Sequence, residues 1–371
     1  MKLKYLVKNC RRLYLSSAVF LCAVFVFSCT VARIDRSAPY KLDYLDEYIL
    51  EDQMQFEGDV IGGLSGIDFD GEKFVLITDH SRNSKIFTVD FSIKNKKIED
   101  VEFIDSKTLS CDSVSSIDSE SIRILEDGYL VVGEGNVKRN HNPVILKVDN
   151  KGNCIKSYGL PQYYQADFKK GPRNNRVFES LSLDSDQSGF WITSELPLKI
   201  DGKPPMLIDN NSPLRLTYYN FNDSNPDSQL AYDLDRIIKL PLLPFAVNGA
   251  TEILQIDENY LLVLERTFSA GHKSKGNRIK IFLVEIKDKT NLLGVSTLKK
   301  SKVHNLKKHL LFDSKPIIKQ LQNKFVDNIE GMTIGPRLKS GNKSLILVSD
   351  NNFNILGTQI NQFLLLELIK N

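Results

Sequence analysis

The sequence predicts an all-β fold of the β-propeller type, with five or six blades and one short helical insertion. One observation is a recurring phrase, in which an acid beside a small residue is followed about a dozen residues later by an apolar run that ends on another acid. A second is the series of short apolar runs, separated by Asp, Asn and Gly, that continues from about Tyr48 to the end of the chain. Self-similar β-rich units on this scale are typical of radially repeated sheets.

Residues 1–28 have the pattern of a lipoprotein-type signal peptide, because five cations precede a mostly apolar stretch that ends in Val-Phe-Ser-Cys at 26–29. Cys29 is the expected lipidation site, although Phe27 is bulkier than that pattern usually takes. An uncleaved membrane anchor is the alternative. Both predict an exported chain, held at the periplasmic or outer-membrane face of the bacterial cell envelope. Residues 29–47 are expected to be a tether and 48–371 the propeller domain.

Loss of the leader changes the formal charge of the chain from +3 to about −2, because the leader carries five cations and no acid. The charge of the remaining chain therefore does not support the interpretation that it is a basic, nucleic-acid-binding protein. We expect a monomer without a nucleic-acid partner. The cysteines that remain beyond Cys29 are Cys111 and Cys154, which would form a disulfide in an oxidising compartment or stay as two buried thiols.

Five copies of the recurring phrase predict the inner part of the blades. They span residues 65–79, 120–134, 179–195, 252–265 and 330–350. The first copy begins on Ser65 where the others begin on Glu, so one possible carboxylate is absent. Turn-forming residues precede the apolar runs, which predicts hairpins whose second strand is buried on both faces.

Further apolar runs at 144–148, 214–219 and 279–286 are predicted strands that complete four-stranded blades. The exception lies at 299–325, where Lys-rich sequence and the spacing of Ile317, Ile318 and Leu321 predict a short helix. Its lysines are expected to form a solvated face, with attraction of phosphate as the alternative.

Six stretches together resemble the phytase-like family, whose full name is "esterase-like activity of phytase". They are GGLSGIDFDGEKFVLITDHSR (62–82), DSESIRILEDGYLVVGEGN (118–136), RNNRVFESLSLDSDQSGFWITSELPL (173–198), NGATEILQIDENYLLVLERTFSAG (248–271), DNIEGMTIGPRLKSGNKSLILVSDNNF (327–353) and TQINQFLLLEL (358–368). The resemblance implies a propeller related to calcium-dependent alkaline phytases, usually exported or lipid-anchored. It implies an activity less directly, because the family name reflects kinship.

Acids at equivalent ends of inner strands would form a ring of like charges, which requires cations or hydrogen bonds to compensate it. Oxygen ligands with little His or Cys favour Ca²⁺, with Mg²⁺ as the alternative. The acids expected to act in catalysis, as metal ligands or by orienting water, are Glu120, Glu179, Glu252 and Glu330. The other expected metal ligands are Asp79, Glu134, Glu195, Glu265, Asp327 and Asp350. Each acid alone could instead accept bonds from turn amides.

Arginines lie beside several of these acids and are suited to bidentate binding of phosphate. Arg82, Arg176 and Arg266 are therefore expected to bind substrate. The alternative is a structural ion pair with the neighbouring acid, and for Arg266 this alternative is the stronger one.

These residues predict an extracytoplasmic, metal-dependent hydrolase that acts on a small phosphorylated or ester substrate. The alternative is a non-catalytic propeller lipoprotein that binds a ligand or an envelope partner and uses the acids as structural calcium sites. A serine esterase with Ser65 and His80 or His272 is disfavoured, because Gly63-Leu64-Ser65-Gly66-Ile67 lacks the last glycine of G-x-S-x-G. No P-loop, dinucleotide fingerprint, CxxC or HExxH occurs in the sequence.

Overall fold

Five four-stranded antiparallel sheets surround a common axis in the computed structural model, which describes residues 33–112, 117–208, 211–299, 306–354 and 359–371. The predicted signal peptide and Cys29 lie outside these residues. The chain from Ile34 to Asn371 forms one unit. Within the described ranges, no helix has the length and apolar character needed to cross a membrane.

The regular elements are almost all strands. In chain order they are β1 (Tyr40–Ile49), β2 (Gln55–Phe56), β3 (Asp59–Val60), β4 (Leu64–Phe69), β5 (Phe74–Thr78), β6 (Lys85–Lys94), β7 (Lys97–Thr108), β8 (Ser119–Leu125), β9 (Gly128–Gly133), β10 (Val144–Asp149), β11 (Cys154–Ser157), β12 (Phe178–Leu183), β13 (Gly189–Ser194), β14 (Pro213–Asn220), β15 (Pro226–Asp233), β16 (Ala246–Gln255), β17 (Tyr260–Ser269), β18 (Asn277–Glu285), β19 (Lys308–Asp313), β20 (Ile329–Arg337), β21 (Lys343–Ser349) and β22 (Gln362–Lys370). Single 3₁₀ turns occur at Val137–Arg139, Gln162–Tyr164, Lys273–Lys275, Lys315–Ile317 and Asn352–Asn354.

Each of the first four blades is a meander of four consecutive strands. Blade 1 contains β4 to β7, blade 2 β8 to β11, blade 3 β12 to β15 and blade 4 β16 to β19. Blade 5 contains β20, β21 and β22, and β1 from the other end of the chain is its outer strand. The inner strands β4, β8, β12, β16 and β20 pack side by side, and β20 contacts β4 to close the ring. The structure thus confirms the predicted propeller and gives it five blades.

The five main hydrophobic clusters lie at the five interfaces between neighbouring blades. In β21, Ile346 and Val348 pack toward blade 1, whereas Leu345 and Leu347 pack toward blade 4. Alternate residues of one strand therefore meet different neighbours, since successive side chains point to opposite faces of a sheet. This two-sided burial explains why the second strand of each blade is a nearly continuous apolar run.

Two expectations about individual segments are corrected. Residues 40–47, expected to be part of a tether, belong to β1, where Tyr40 and Leu42 are buried and Lys41 and Asp43 are not. This alternation is the pattern of a strand with one buried face. The short helix expected at 299–325 is absent from the described part of that segment, which forms β19 and a single 3₁₀ turn.

A disulfide joins Cys111 to Cys154, whose Cα atoms are 5.1 Å apart. Cys111 follows β7, the outer strand of blade 1, and Cys154 begins β11, the outer strand of blade 2. The bond therefore connects the outer edges of two neighbouring blades.

Candidate metal centre and adjoining cleft

Every inner strand has a β-bulge near its start. The bulged residues are the first of two sets of residues that make up the candidate site. One extra residue interrupts the pairing of each inner strand with the second strand of its blade, and bulges of this kind re-aim a side chain. The bulged residues are Ser65, Glu120, Glu179, Thr251 and Glu330. All inner strands run in the same direction, so these residues lie at one end of the axis, which we call the mouth.

A second set faces the first from the ends of the second strands. Four of its members donate a backbone amide to the inner strand just before the bulge: Asp79 to Gly63, Glu134 to Asp118, Glu195 to Val177 and Asp350 to Asn328. In blade 4 the residue paired with the corresponding position, Gly249, is Arg266. A Cβ at Gly249 would overlap the Glu195 side chain, so glycine leaves room for that carboxylate.

The residues of blade 4 that occupy the ring positions are therefore shifted by one along the sequence from the predicted ones. The assignments of Glu252 and Glu265 to the ring are wrong. Thr251 and Arg266 occupy the ring positions instead. The Thr251 hydroxyl donates to the carbonyl of Ile329 in the next blade at 3.2 Å, as the Ser65 hydroxyl does to Ser119 at 2.7 Å. Three acids and two hydroxyls thus make up the first set.

The two displaced acids are fully paired elsewhere in the fold. Glu252 is ion-paired with Arg123 at 2.9 Å and accepts hydrogen bonds from the Ser121 hydroxyl and the Leu181 amide. Glu265 accepts hydrogen bonds from Tyr232 at 2.5 Å and from Lys308 at 2.9 Å. Both acids therefore stabilise interfaces between blades, because a one-residue step along a strand turns a side chain to the other face.

The remaining acids form a cluster of like charges at the mouth. Oxygen atoms of Asp118, Glu120 and Glu134 all lie within 4.8 Å of one another. Burial, together with the neighbouring carboxylates, raises the pKa of both Asp79 and Glu134 to about 8. Burial also raises the pKa of Asp118 to about 6, although His80 opposes this effect. Four further carboxyls have a pKa above the ordinary range, chiefly because they are buried and also because other carboxylates are near. They are Glu120, Glu179, Glu330 and Asp350.

The cluster has the features of a site for a hard divalent cation. Its donors are all carboxylate oxygens, which suit Ca²⁺ or Mg²⁺. Oε2 of Glu134, a residue only 1% exposed, and Oδ1 of Asp79 are buried without a hydrogen-bond partner among the described residues. A buried carboxylate oxygen without a partner costs free energy that a bound cation would recover. The residues present therefore fit a cation.

Arg266 supplies positive charge inside the ring. Its guanidinium lies 3.3 Å from Glu195 Oε1 and donates to Glu330 and to Asn328. Burial alone would lower the pKa of Arg266, but Glu330 and Glu195 raise it above its ordinary value. Arg176 pairs with the other oxygen of Glu195 at 2.8 Å. Both arginines, expected to bind substrate, thus neutralise ring carboxylates in this structure.

Asp327 differs from the other expected metal ligands. Its carboxylate accepts backbone amides from Asn328 at 2.9 Å and from Ile360 at 2.7 Å. Through these hydrogen bonds Asp327 joins two loop segments. It therefore has the structural role, acceptance of bonds from backbone amides, that was the alternative to metal binding for each acid.

A cleft of about 580 Å³ adjoins the cluster and shares Asp118 with it. Three basic side chains line this cleft: Arg82 from the loop after β5, and Arg139 and His141 from the segment after β9. All three are exposed, in contrast to Arg266. Of the three arginines expected to bind substrate, Arg82 alone lines this open space.

The described residues offer no support for a serine esterase. Ser65 is fully buried, and its hydroxyl donates to a backbone carbonyl. His80 Nδ1 accepts a hydrogen bond from the Asn83 amide, and His272 contacts the carbonyl of Leu240 in the loop between β15 and β16. Neither histidine is bonded to the Ser65 hydroxyl.

A family model described as esterase-like activity of phytase matches residues 59–353 of the chain. The chain belongs to the phytase-like family. Comparison with curated protein sequences found no match for this phytase-like protein.

Solved propeller structures resemble the phytase-like chain at low identity. The glutaminyl cyclase of Myxococcus xanthus is 9% identical, with a TM-score of 0.41 over 88% of this chain and 96% of that one. An exo-1,5-alpha-L-arabinanase from a bovine ruminal metagenomic library is 8% identical, with a TM-score of 0.41 over 82% of this chain and 92% of that one.

Several residues of the carboxylate cluster and of the cleft were not among those predicted from the sequence. Asp118 lies two residues before Glu120 in the matching stretch and enters the cluster because it faces Glu134 across the ladder. Arg139 and His141 come from a loop outside the repeated phrase. Thr251 is next to Glu252, the acid predicted for the ring position. The alternation of side chains along β16 was the sequence signal that could have distinguished the two residues.

Proposed function

We propose that this phytase-like domain is an extracytoplasmic, metal-dependent hydrolase of phosphoesters. The observation that carries the proposal is the cleft in which Arg82, Arg139 and His141 adjoin the carboxylate cluster through Asp118. A phosphomonoester carries negative charge that basic side chains can bind, and arginine suits the geometry of phosphate oxygens. Cations for the substrate thus lie beside ligands for a metal.

The residues that would hold the metal are Asp118, Glu120 and Glu134, with Asp79 and Glu179 next to them in the ring. We propose Ca²⁺, with Mg²⁺ as the alternative. When bound, such an ion polarises a phosphoryl oxygen and lowers the pKa of water. Arg82 and Arg139 bind and orient the phosphate, which places the ester beside the carboxylates.

Arg266, Arg176 and Glu330 have a positioning role in this proposal. Arg266 is only 5% exposed and forms ion pairs with both Glu195 and Glu330, which fixes the position of these two carboxylates. Direct contact with a substrate is assigned instead to the exposed arginines of the cleft.

The proposal places the domain outside the cytoplasm as a monomer, attached through a lipid on Cys29 to the bacterial cell envelope. The leader pattern supports export, and the disulfide between Cys111 and Cys154 is typical of proteins in an oxidising compartment.

The test is phosphate release from phytate and from p-nitrophenyl phosphate by residues 30–371, with and without Ca²⁺ or Mg²⁺. We expect metal-dependent turnover that is lost with a chelator. Arg82→Gln and Arg139→Gln should each lower kcat/KM by about 10- to 100-fold, as the loss of one charge-assisted hydrogen bond to phosphate does. Lys138→Gln is the matched control, because Lys138 is exposed beside Arg139 but does not line the cleft.

A structural role for the acids is the second candidate, because Glu134, Glu179 and Glu195 are each at most 5% exposed. That role predicts that calcium raises the melting temperature while neither substrate is hydrolysed. Turnover that depends on metal and on Arg82 would exclude it.

A further inference from the structure

Blade 4 carries an exposed apolar loop that the proposed hydrolase site does not use. The loop joins β15 to β16 and contains the sequence Leu-Pro-Leu-Leu-Pro-Phe at 240–245. The exposed fractions are 67% for Leu240, 66% for Leu242, 59% for Leu243 and 51% for Phe245. Four large apolar side chains exposed in one short segment form an apolar patch, and patches of this kind mark surfaces that bind a protein or a membrane. The loop enters β16 from the mouth side of the propeller.

Backbone hydrogen bonds hold this loop in place. The amides of Leu242 and Leu243 donate to the carbonyl of Ala270 at 2.9 and 3.2 Å, and the Ala270 amide donates to Phe245 at 2.9 Å. The His272 ring contacts the carbonyl of Leu240 at 2.9 Å. The leucine side chains are thus exposed on an ordered loop.

A basic cleft of about 370 Å³ continues from the loop at Lys239. Its lining includes Lys239, Lys275, Arg278, Lys315 and Lys324, together with apolar side chains. Arg278 is paired with Asp313. Burial, followed by the charges of Arg278 and Lys275, lowers the pKa of Lys239. A bound anion would therefore offset the repulsion that Lys239 experiences from these two neighbouring cations.

We propose that this face of blade 4 docks on an anionic phospholipid membrane. Apolar side chains flanked by lysines suit the interface of a bilayer, where the apolar groups enter the acyl boundary and the cations meet phosphate headgroups. A protein partner with an acidic, apolar surface would require a matching shape, whereas a bilayer accepts the projecting loop as it stands.

The path of the N-terminal segment supports this orientation. The Asp35 amide donates to the Leu310 carbonyl at 2.8 Å, and its carboxylate contacts His309, so the chain enters the domain along β19 of the same blade. Five residues of the sequence, 30–34, lie between Cys29 and Asp35. If Cys29 is lipidated, as proposed above, blade 4 is kept close to the bilayer. The vesicle test below does not depend on that lipid or on catalysis.

The test is flotation of residues 30–371, which retain all strands of the ring, with vesicles of equal parts phosphatidylglycerol and phosphatidylcholine. Vesicles of phosphatidylcholine alone are the lipid control. We expect binding to the anionic vesicles that weakens as salt rises. A variant with Leu242→Gln and Leu243→Gln, and another with Lys275→Gln and Lys315→Gln, should each bind at least about tenfold more weakly.

Matched controls are Ile155→Gln, an apolar residue 54% exposed on blade 2, and Lys151→Gln, an exposed lysine in the same blade. Both should bind as the unchanged domain does, and thermal melts would verify that every variant is folded. Equal binding by blade 4 variants and controls would overturn the proposal. So would binding of inorganic phosphate in the cleft without any binding of vesicles.

Discussion

Arg266 forms an ion pair with Glu195 at 3.3 Å, and the two residues occupy equivalent positions in neighbouring blades. The same guanidinium also pairs with Glu330. Blade 4 therefore contributes a cation to a ring in which the other four blades contribute acids. This cation compensates the charge of Glu195 and Glu330, whereas Glu134 has no ion pair among the described residues.

Arg266→Gln should destabilise the domain strongly in the absence of divalent cations. The substitution leaves Glu195 and Glu330 buried with less compensation, and breaking a buried ion pair costs about 3–5 kcal/mol. Thermal unfolding in chelator should therefore show a large fall in Tm. Calcium should restore more of the Tm in this variant than it adds to the unchanged domain, because the ring is more negative.

Arg215→Gln is the matched control for that experiment. Arg215 is as buried as Arg266 and pairs with Asp201, away from the ring acids. We expect a comparable loss of stability without any added response to calcium. An equal calcium response in both variants would show that Arg266 does not compensate the cation site.

Glu134→Gln should weaken the binding of calcium by at least about tenfold, because it removes a charged ligand from the cluster. In chelator the same variant should be more stable than the unchanged domain near pH 8, because one of the mutually repelling charges is gone. Isothermal titration with Ca²⁺ measures the first effect and a thermal melt the second.

Glu265→Gln separates the observed ring from the predicted one. Glu265 ends the same sequence phrase as Glu134, yet it bonds Tyr232 and Lys308 outside the ring. The variant should lose stability by roughly 1–3 kcal/mol, because its buried partners lose a charged acceptor. Its calcium affinity should stay unchanged, and a loss equal to that of Glu134→Gln would contradict the one-residue displacement of blade 4.

The repeated blades were predictable because every copy of the phrase uses the same local rules. Two-sided burial requires a continuous apolar run, and the turns before it require Asp, Asn or Gly. The register of blade 4 was not predictable in the same way. Thr251-Glu252 and Glu120-Ser121 both place an acid beside a small residue, and only the ladder with the second strand decides which member is bulged.

Two other features depended on contacts between distant parts of the chain. β1 has a readable alternation of apolar and charged residues, but its partner β22 lies at the opposite end of the sequence. Asp118 and Arg82 come together at the cleft through the packing of blades 1 and 2. The local sequence identifies acids and arginines as candidates, whereas their division into structural pairs and open-site residues follows from tertiary packing.

Removal of the disulfide should lower the Tm of the domain by about 10 °C. Cys111 and Cys154 are 43 residues apart, and a crosslink over a loop of that length is expected to contribute about 4 kcal/mol by restricting the unfolded chain. A reductant should lower the Tm of residues 30–371, in which these are the remaining cysteines. The double variant Cys111→Ala and Cys154→Ala should melt at the reduced value, and its Tm should not respond to reductant.

The metal-free domain should lose stability as pH rises from about 5 to 9. A carboxyl whose pKa is higher in the folded state binds more protons when folded, so its stabilising effect is complete below the unfolded pKa and is lost as pH rises through the folded pKa. For Asp118 the folded pKa is about 6, and for Asp79 and Glu134 it is about 8. Thermal melts in chelator should therefore show a falling Tm across this range, by about 2–4 °C for each kcal/mol lost. Calcium should flatten the profile, because it replaces the protons, and Glu134→Gln should make the metal-free profile less steep. A metal-free Tm that rises from pH 6 to pH 8 would mean that these acids are not crowded together at the mouth.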